Sequence, residues 1–441
     1  MNNSGLFADL HALTTLRTCF ELGFEENAVF SLFVRRLPPE RNYLVACGLD
    51  VLLNALQNLR FEGDDIAALA ALGFPQSFLD RLATFRFEGD VHAMPEGTPF
   101  FANEPILEVV APIGQAQLVE ALVLNQVGFQ TLVASKAARI VGAAEGRPIQ
   151  DFGASYAHGI DAALNGARAA HIGGMESTSN LLAASTHGIP AANAMSDSLV
   201  LAFPNETEAF PSFLRRYPEA ALVVDTYDTM RGVRKIIALS RELRGAGGIT
   251  AIRIDSGDLL DLSRRARNLL DGAALSDIRV VASGGLDEHV IEALLSQGAP
   301  IDSFAVDLVS ADAPMLELAY QLAGIAGEGR VKLSVGKRNL PGRKQVFRTF
   351  AGGEAYEDTV GGAEESLAGE PLLVEVMRGG RRIGEPESLA TIRARCMAEV
   401  ARLPTGLKVL APAERPYSVE ISPVLLELER QTREKSAHSS L

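Results

Sequence analysis

The stretch Ala251-Ile252-Arg253-Ile254-Asp255-Ser256-Gly257-Asp258 is a short run of strand formers that ends on a carboxylate and opens into a helical pattern. Side chains two apart on a strand share a face, so Arg253 and Asp255 point the same way. Amides at the start of the following helix favour an anion. An arginine there can hold a phosphate or carboxylate oxygen. Asp255 can accept from sugar hydroxyls or carry a magnesium-bound water. The same residues also fit a helix N-cap with a buried Arg–Asp pair, and spacing alone leaves both readings open.

Working outward, this form repeats. PIQDFG (148–153), AAHIGG (169–174), GIPAANA (188–194), ALVVDTYD (221–228), GITAIRIDSGD (248–258), IRVVASGG (278–285) and PIDSFAVD (300–307) read as strands, each followed by a helical pattern, the last over 312–322. Such alternation predicts a parallel sheet. Polar residues follow the strand runs: Asp151, Asp225, Asp255, Ser283 and Asp307. In a barrel these ends converge on one mouth, whereas an open sheet spreads them along a line. Convergence favours the barrel.

The flanks differ. Residues 6–22 read as a helix, 28–36 and 42–48 as strands, and 85–112 as short antiparallel strands. A long helix is expected over 114–145. After 330 the strand pattern returns in VKLSVG, KQVFRTF and PLLVEVM, then a helix over 386–402. This tail is expected to pack on the N-terminal layer. The expected domains are 1–112, 113–330 and 331–441.

The net charge of −14 disfavours a sequence-independent nucleic-acid binder, which needs a basic face. It does not disfavour small anions, which a few amides and one arginine can hold. The three cysteines, Cys19, Cys47 and Cys396, are far apart and form no C-x-x-C, against a disulfide framework or zinc site. A reducing compartment is expected. No 18-residue apolar run and no signal-like start occur, so a cytoplasmic protein without membrane partners is expected.

Other segments carry weaker signals. Asp225 in VVDTYDT could face Asp255, where two carboxylates suit magnesium with a diphosphate, or it could simply cap a helix. Ser283, Gly284 and Gly285 offer backbone that a phosphate can approach closely, or an ordinary Gly-Gly turn. Phe152 could stack on a flat ring or belong to the core. His171 and His187 read as structural, and His158 stays undecided. No hydrolytic triad or metal-spaced histidine pair is present in the sequence.

Taken together, FADL (7–10), FVRRLPPERNYLVACGL (33–49), MPEGTPFFANEPIL (94–107), FQTLVASKAARIV (129–141), GGMESTSNLLA (173–183), VDTYDT (224–229), RIDSGDL (253–259), ASGGLDE (282–288), SADAP (310–314) and KLSVGKRNLPGRKQVFR (332–348) make the chain resemble nicotinate phosphoribosyltransferases over nearly its whole length. The resemblance implies transfer of phosphoribose from phosphoribosyl pyrophosphate to nicotinate, release of pyrophosphate, magnesium dependence and a place in pyridine nucleotide salvage toward NAD. It implies an irregular, TIM-like α/β barrel plus an α/β sandwich domain built from both chain ends. It also implies a homodimer with shared sites, in which Asp9 and its neighbour His11 reach the partner's site. Phe152 would stack the pyridine ring and Ser179 would lie near its carboxylate. Asp225, Arg253 and Asp255, with Ser256 and Gly257, would handle ribose, diphosphate and metal. Ser283, Gly284 and Gly285 would hold the 5′-phosphate.

The departures from the family pattern cluster in these same segments. Where the family reads Phe-Gly-Leu-Arg-Arg-Ala-Gln-Gly, this chain has Phe152-Gly153-Ala154-Ser155-Tyr156-Ala157-His158-Gly159, without either arginine. Asp197 stands where the family carries the histidine that ATP phosphorylates, so phosphohistidine coupling to ATP is not expected; an acyl phosphate on Asp197 is the other route. Asp307 replaces the family's phosphate loop, and a tyrosine near the N-terminus is His11. Each lost arginine removes a charge-assisted bond of about 1.5–3 kcal/mol. These changes leave three functions open: nicotinate phosphoribosyl transfer without ATP, a diverged enzyme for another aromatic acid or sugar phosphate in which Tyr156, His158 and Asp307 make new contacts, and a non-catalytic binding protein. Ser155 is a further candidate substrate-binding residue.

Overall fold

The structure is a computed structural model that describes residues 5–242, 248–307 and 313–438. The chain divides into two units, Met1–Ser135 with Pro314–Leu441 and Lys136–Ala313. The boundaries differ from those read in the sequence. The helix Glu120–Ala143 carries the chain from one unit to the other, and residues 314–330 join the terminal unit rather than the central one.

In the terminal unit, Asn27–Val34 lies between Leu318–Ile325 and Pro105–Pro112, antiparallel to both, within a seven-stranded sheet. A four-stranded sheet is built on the hairpin Lys344–Ala351 and Glu354–Gly362. Phe30, Leu32 and Val34 alternate into a core shared with Leu16, Leu52, Leu56 and Leu82 from the helices. The expected helix over 312–322 is corrected here. Residues 308–312 lie outside the described residues, and Leu318–Ile325 is a strand because its hydrogen bonds go to Asn27–Val34. VKLSVG forms no strand, whereas KQVFRTF and part of PLLVEVM do.

In the central unit, six short strands form one all-parallel sheet in the order Ser177–Thr178, Ile149–Asp151, Ser303–Val306, Arg279–Ala282, Ala251–Ile254, Leu222–Val223. Single parallel bridges extend both ends of this row to one stretch: Thr178 pairs with Ala191, and Ala194 with Ala221. AAHIGG is not a strand. Its first residues finish the helix Ile160–Ile172, whose end is followed by Gly173 and Gly174, and the strand begins only at Ser177. GIPAANA contributes bridges rather than a ladder. The strands are nearly fully buried, and Leu222, Val223, Ile252, Ile254 and Val280 pack with Val233, Ile236 and Leu270 from covering helices. Burial on both faces is the reason these strands read as continuous apolar runs. A carboxylate or hydroxyl then marks the point where each run leaves the core.

Candidate active site

The carboxyl ends of the central unit's strands bring the expected residues together. Asp225, just past Leu222–Val223, does not cap its own helix. Its Oδ2 accepts from the backbone amide of Asp255 at 2.9 Å and from the Ser256 hydroxyl at 2.7 Å. One carboxylate therefore ties two adjacent strand ends. The Asp255 side chain in turn accepts from the buried Ser283 hydroxyl on the next strand. The helix after Asp255 is capped by Asp258, which accepts from the amides of Leu260 and Asp261. That removes the capping role from Asp255 and leaves its carboxylate partly open to solvent.

Arg253 sits at the centre of this belt. Its Nη1 lies 3.6 Å from Asp255 Oδ1. On the other side, Nη2 donates to the Met195 carbonyl at 3.3 Å and lies 4.0 Å from Asp197 Oδ2. Asp197 opens the helix Asp197–Ala202, and its Oδ1 accepts from the Thr226 hydroxyl at 2.7 Å. Two atoms of the group are buried without a hydrogen-bond partner: Arg253 Nε and Asp225 Oδ1. A third, Asp307 Oδ1, is in the same condition. Each such atom costs about 1–3 kcal/mol until something pairs with it.

The glycine turn between Arg279–Ala282 and the helix Glu288–Ser296 is dictated sterically. Gly284 has φ of +84°, and a Cβ there would lie 2.0 Å from the Asp255 carbonyl oxygen. Gly285, at φ +61°, faces open space. Burial pushes the Asp307 carboxyl up from its usual range, the Asp255 charge adds to this, and the Gly285 amide works against it. Asp151 is buried, with its Oδ1 accepting from the Gly153 amide and its Oδ2 from the Thr178 hydroxyl. Its pKa is raised by burial and held back by those two donors. It is a structural tie between Ile149–Asp151 and Ser177–Thr178.

Phe152 is half-buried at the entry to the short helical turn Gly153–Tyr156. Ser155, Tyr156 and His158 are exposed on this turn and the loop after it, and Ser179 is exposed ahead of the helix Leu181–His187, which Asn180 caps. The described structure gives none of these four side chains a hydrogen bond into the Arg253 belt. In the terminal unit, Asp9 precedes the helix Leu10–Leu22, and His11 Nε2 lies 3.6 Å from Glu120. Phe7 and Leu10 beside them are exposed. Of the ten sequence stretches quoted, only Ser310, Ala311 and Asp312 of SADAP fall outside the described residues.

Sequence reasoning missed Thr226 and the Met195 carbonyl. Thr226 follows Asp225 directly, so a hydroxyl one step past a strand-end carboxylate was the available signal.

Among the described residues no group of three or more acidic, histidine or cysteine side chains is arranged to hold a metal ion. The donor set at Asp225 and Asp255 nevertheless suits magnesium. Two carboxylates, one with an unpaired oxygen, match a hard ion that keeps most of its waters.

The N-terminal domain model of nicotinate phosphoribosyltransferase matches residues 6–128, and its C-terminal domain model matches 363–429. The chain is 46% identical to the nicotinate phosphoribosyltransferase pncB2 of Mycobacterium tuberculosis over 95% of this chain and 91% of that one. It is 40% identical to the nicotinate phosphoribosyltransferase of Bacillus subtilis over 78% of this chain and 72% of the relative. The crystal structure of human nicotinic acid phosphoribosyltransferase superposes with a TM-score of 0.86 at 25% identity, covering 96% of this chain and 99% of the human one. With alignments of this length and identity, and with both units represented, the chain belongs to the nicotinate phosphoribosyltransferase family.

Proposed function

We propose that this protein transfers the phosphoribosyl group of phosphoribosyl pyrophosphate to nicotinate, releasing pyrophosphate, as a salvage step toward NAD. The observation that carries the reading is the Arg253 belt: one arginine that has an unpaired Nε and faces Asp255 at its own strand end and Asp197 at a helix start, with Asp225 of the neighbouring strand end tied to the Asp255 amide. The unpaired donor suits an oxyanion, and the unpaired Asp225 oxygen suits a sugar hydroxyl or a magnesium-bound water. Magnesium held by Asp225 and Asp255 would neutralise the diphosphate. The pyridine nitrogen forms its bond to the anomeric carbon as the carbon–oxygen bond to pyrophosphate breaks. Nothing in the chain need attack covalently. Arg253 offers fixed positive charge, Ser283 with the Gly284–Gly285 backbone cradles the 5′-phosphate, and Phe152 stacks on the ring with Ser179 near its carboxylate. Such preorganised donors act on charge that develops in the transition state.

The two bridges to residues 191–194 support closure of the six-stranded row into an irregular α/β barrel. Exposed Phe7 and Leu10 beside Asp9 and His11 support a homodimer in which these residues serve the partner's site. Three free, buried cysteines fit a reducing cytoplasm, and no described helix is long and apolar enough to cross a membrane. With Asp197 in place of the phosphorylated histidine, turnover proceeds without ATP. A second reading, transfer to another aromatic acid, is favoured by Asp307, a carboxylate beside the glycine turn that should hold a phosphate. Chromatographic assay of nicotinate mononucleotide from phosphoribosyl pyrophosphate, magnesium and nicotinate, with and without ATP, tests the first reading. Pyrophosphate release only with a different acceptor selects the second, and no release with any acceptor rejects both.

A further inference from the structure

The Asp197 carboxylate is half-exposed, yet both of its oxygens are committed. Oδ1 accepts from the Thr226 hydroxyl at 2.7 Å, and Oδ2 faces Arg253 Nη2 at 4.0 Å. Thr226 follows the strand Leu222–Val223, Arg253 lies on Ala251–Ile254, and Asp197 opens the helix Asp197–Ala202. Three separate segments thus meet on one carboxylate. Nη2 donates to the Met195 carbonyl at 3.3 Å and faces Asp197 at 4.0 Å, and Nη1 faces Asp255 at 3.6 Å, so a carboxylate flanks the guanidinium at each terminal nitrogen. A planar guanidinium flanked by a carboxylate at each terminal nitrogen has a favoured orientation, and its N–H directions follow from that orientation. A phosphoryl acceptor needs a carboxylate oxygen free to attack phosphorus, whereas here one oxygen is latched by a hydroxyl and the other turned to a cation.

We propose that Asp197 is a positioning residue: latched by Thr226, it orients the Arg253 guanidinium toward the diphosphate sugar, and it is not a phosphate acceptor. The proposal rests on the phosphoribosyl-transfer reading of the same site. Asp197 also offsets the arginine's charge, so that binding of the anion depends on the orientation of the guanidinium more than on net charge.

Initial rates and calorimetric binding of phosphoribosyl pyrophosphate with magnesium test this on the full chain of Asp197→Asn, Asp197→Ala, Thr226→Val and Thr226→Ser. Both positions lie near the surface of the mouth, so the variants are expected to fold; thermal unfolding of each is the check. Thr226→Val and Asp197→Ala should each raise KM and the dissociation constant roughly tenfold, the size of one charge-assisted bond, with a smaller change in kcat. The double variant should be no worse than either single one, because both break the same latch. Thr226→Ser, which keeps the hydroxyl, should restore wild-type values, and Asp197→Asn, which keeps the acceptor for Thr226 but not the charge, should fall between. ATP should not alter any of these ratios. Loss of an ATP-dependent rate in Asp197→Asn with Thr226→Val unaffected would overturn the proposal in favour of an acyl phosphate. Strict additivity in the double variant would also overturn it. If the wild-type protein itself neither binds nor turns over the diphosphate sugar, the transferase reading fails and the proposal with it; a failure confined to the variants' pattern leaves the transferase reading standing.

Discussion

Two arginines of this protein are each surrounded by carboxylates, and they are built for opposite ends. In the terminal unit Arg348 is sealed: its Nε and Nη2 reach both oxygens of Asp358 at 2.9, 3.2 and 2.6 Å, across the hairpin register that pairs the two residues. The Tyr417 hydroxyl donates to Asp358 at 2.9 Å, and Phe101 stacks on Tyr417 at 3.8 Å between ring centres. Glu104 closes the cluster, its carboxyl facing Asp358 and accepting from the Phe101 amide. In the central unit Arg253 holds its carboxylates at 3.6 and 4.0 Å, and Asp255 and Asp197 are 42% and 47% exposed. The Arg348 cluster is closed off by burial, although Glu104 Oε1 has no hydrogen-bond partner, and so it presents no open face to a ligand. The Arg253 cluster, with unpaired atoms at a strand end, does.

The comparison can be broken at its strongest point first. Replacing Asp358 with Ala leaves Arg348 charged and buried, and should lower folding stability by about 3–5 kcal/mol in denaturant titration. Arg253→Met should leave the unfolding midpoint almost unmoved while cutting kcat/KM roughly a hundredfold, the upper value for a charge-assisted bond to an anion. Equal stability losses in both variants would erase the distinction drawn here.

The glycine turn sharpens the contrast. Gly284→Ala drives a Cβ into the Asp255 carbonyl and must shift the turn, so it should cost activity more than tenfold. Gly285→Ala meets only open space and bears the cost of its positive φ, about 1–2 kcal/mol of stability. Thermal unfolding and steady-state kinetics on the pair separate the two effects.

The smallest effect concerns pH. Burial, then the Asp358 charge, holds the Glu104 carboxyl well above its ordinary value of 4.5. Its folded pKa is therefore raised, so its contribution to stability is complete below 4.5 and is lost as pH rises through the elevated value. Glu104→Gln keeps a neutral group at every pH. The melting temperature of the variant should match the wild type near pH 4.5 and exceed it increasingly as pH rises through the elevated value; a difference that stays constant with pH would mean Glu104 is not held neutral.

How much of this was legible in the sequence depended on range. Asp225, Arg253, Asp255 and Ser283 each stand where a buried apolar run breaks off, which is a local signal, and their convergence follows once the strands are parallel. The Asp197–Thr226 latch joins residues 29 apart with no motif between them. AAHIGG misled because its apolar, glycine-ended run fits a strand as well as a helix C-terminus. Leu318–Ile325 misled in the other direction: LAYQLAGI is rich in helix formers, and only its pairing with Asn27–Val34 makes it extended. Glu104 could not be placed with Arg348 from spacing at all.

The pairing of Leu318–Ile325 with Asn27–Val34 has a consequence for synthesis. Phe30 finds its partner Leu322 only after the whole central unit has been made, roughly three hundred residues later. At about 5–20 residues per second, one side of Asn27–Val34 stays without its strand for tens of seconds. An open, strongly apolar strand edge is a template for wrong partners. Expression yield on the ribosome is therefore expected to depend on how quickly the central unit is completed, and a stalled or truncated chain ending before 318 should be captured by chaperones or aggregate.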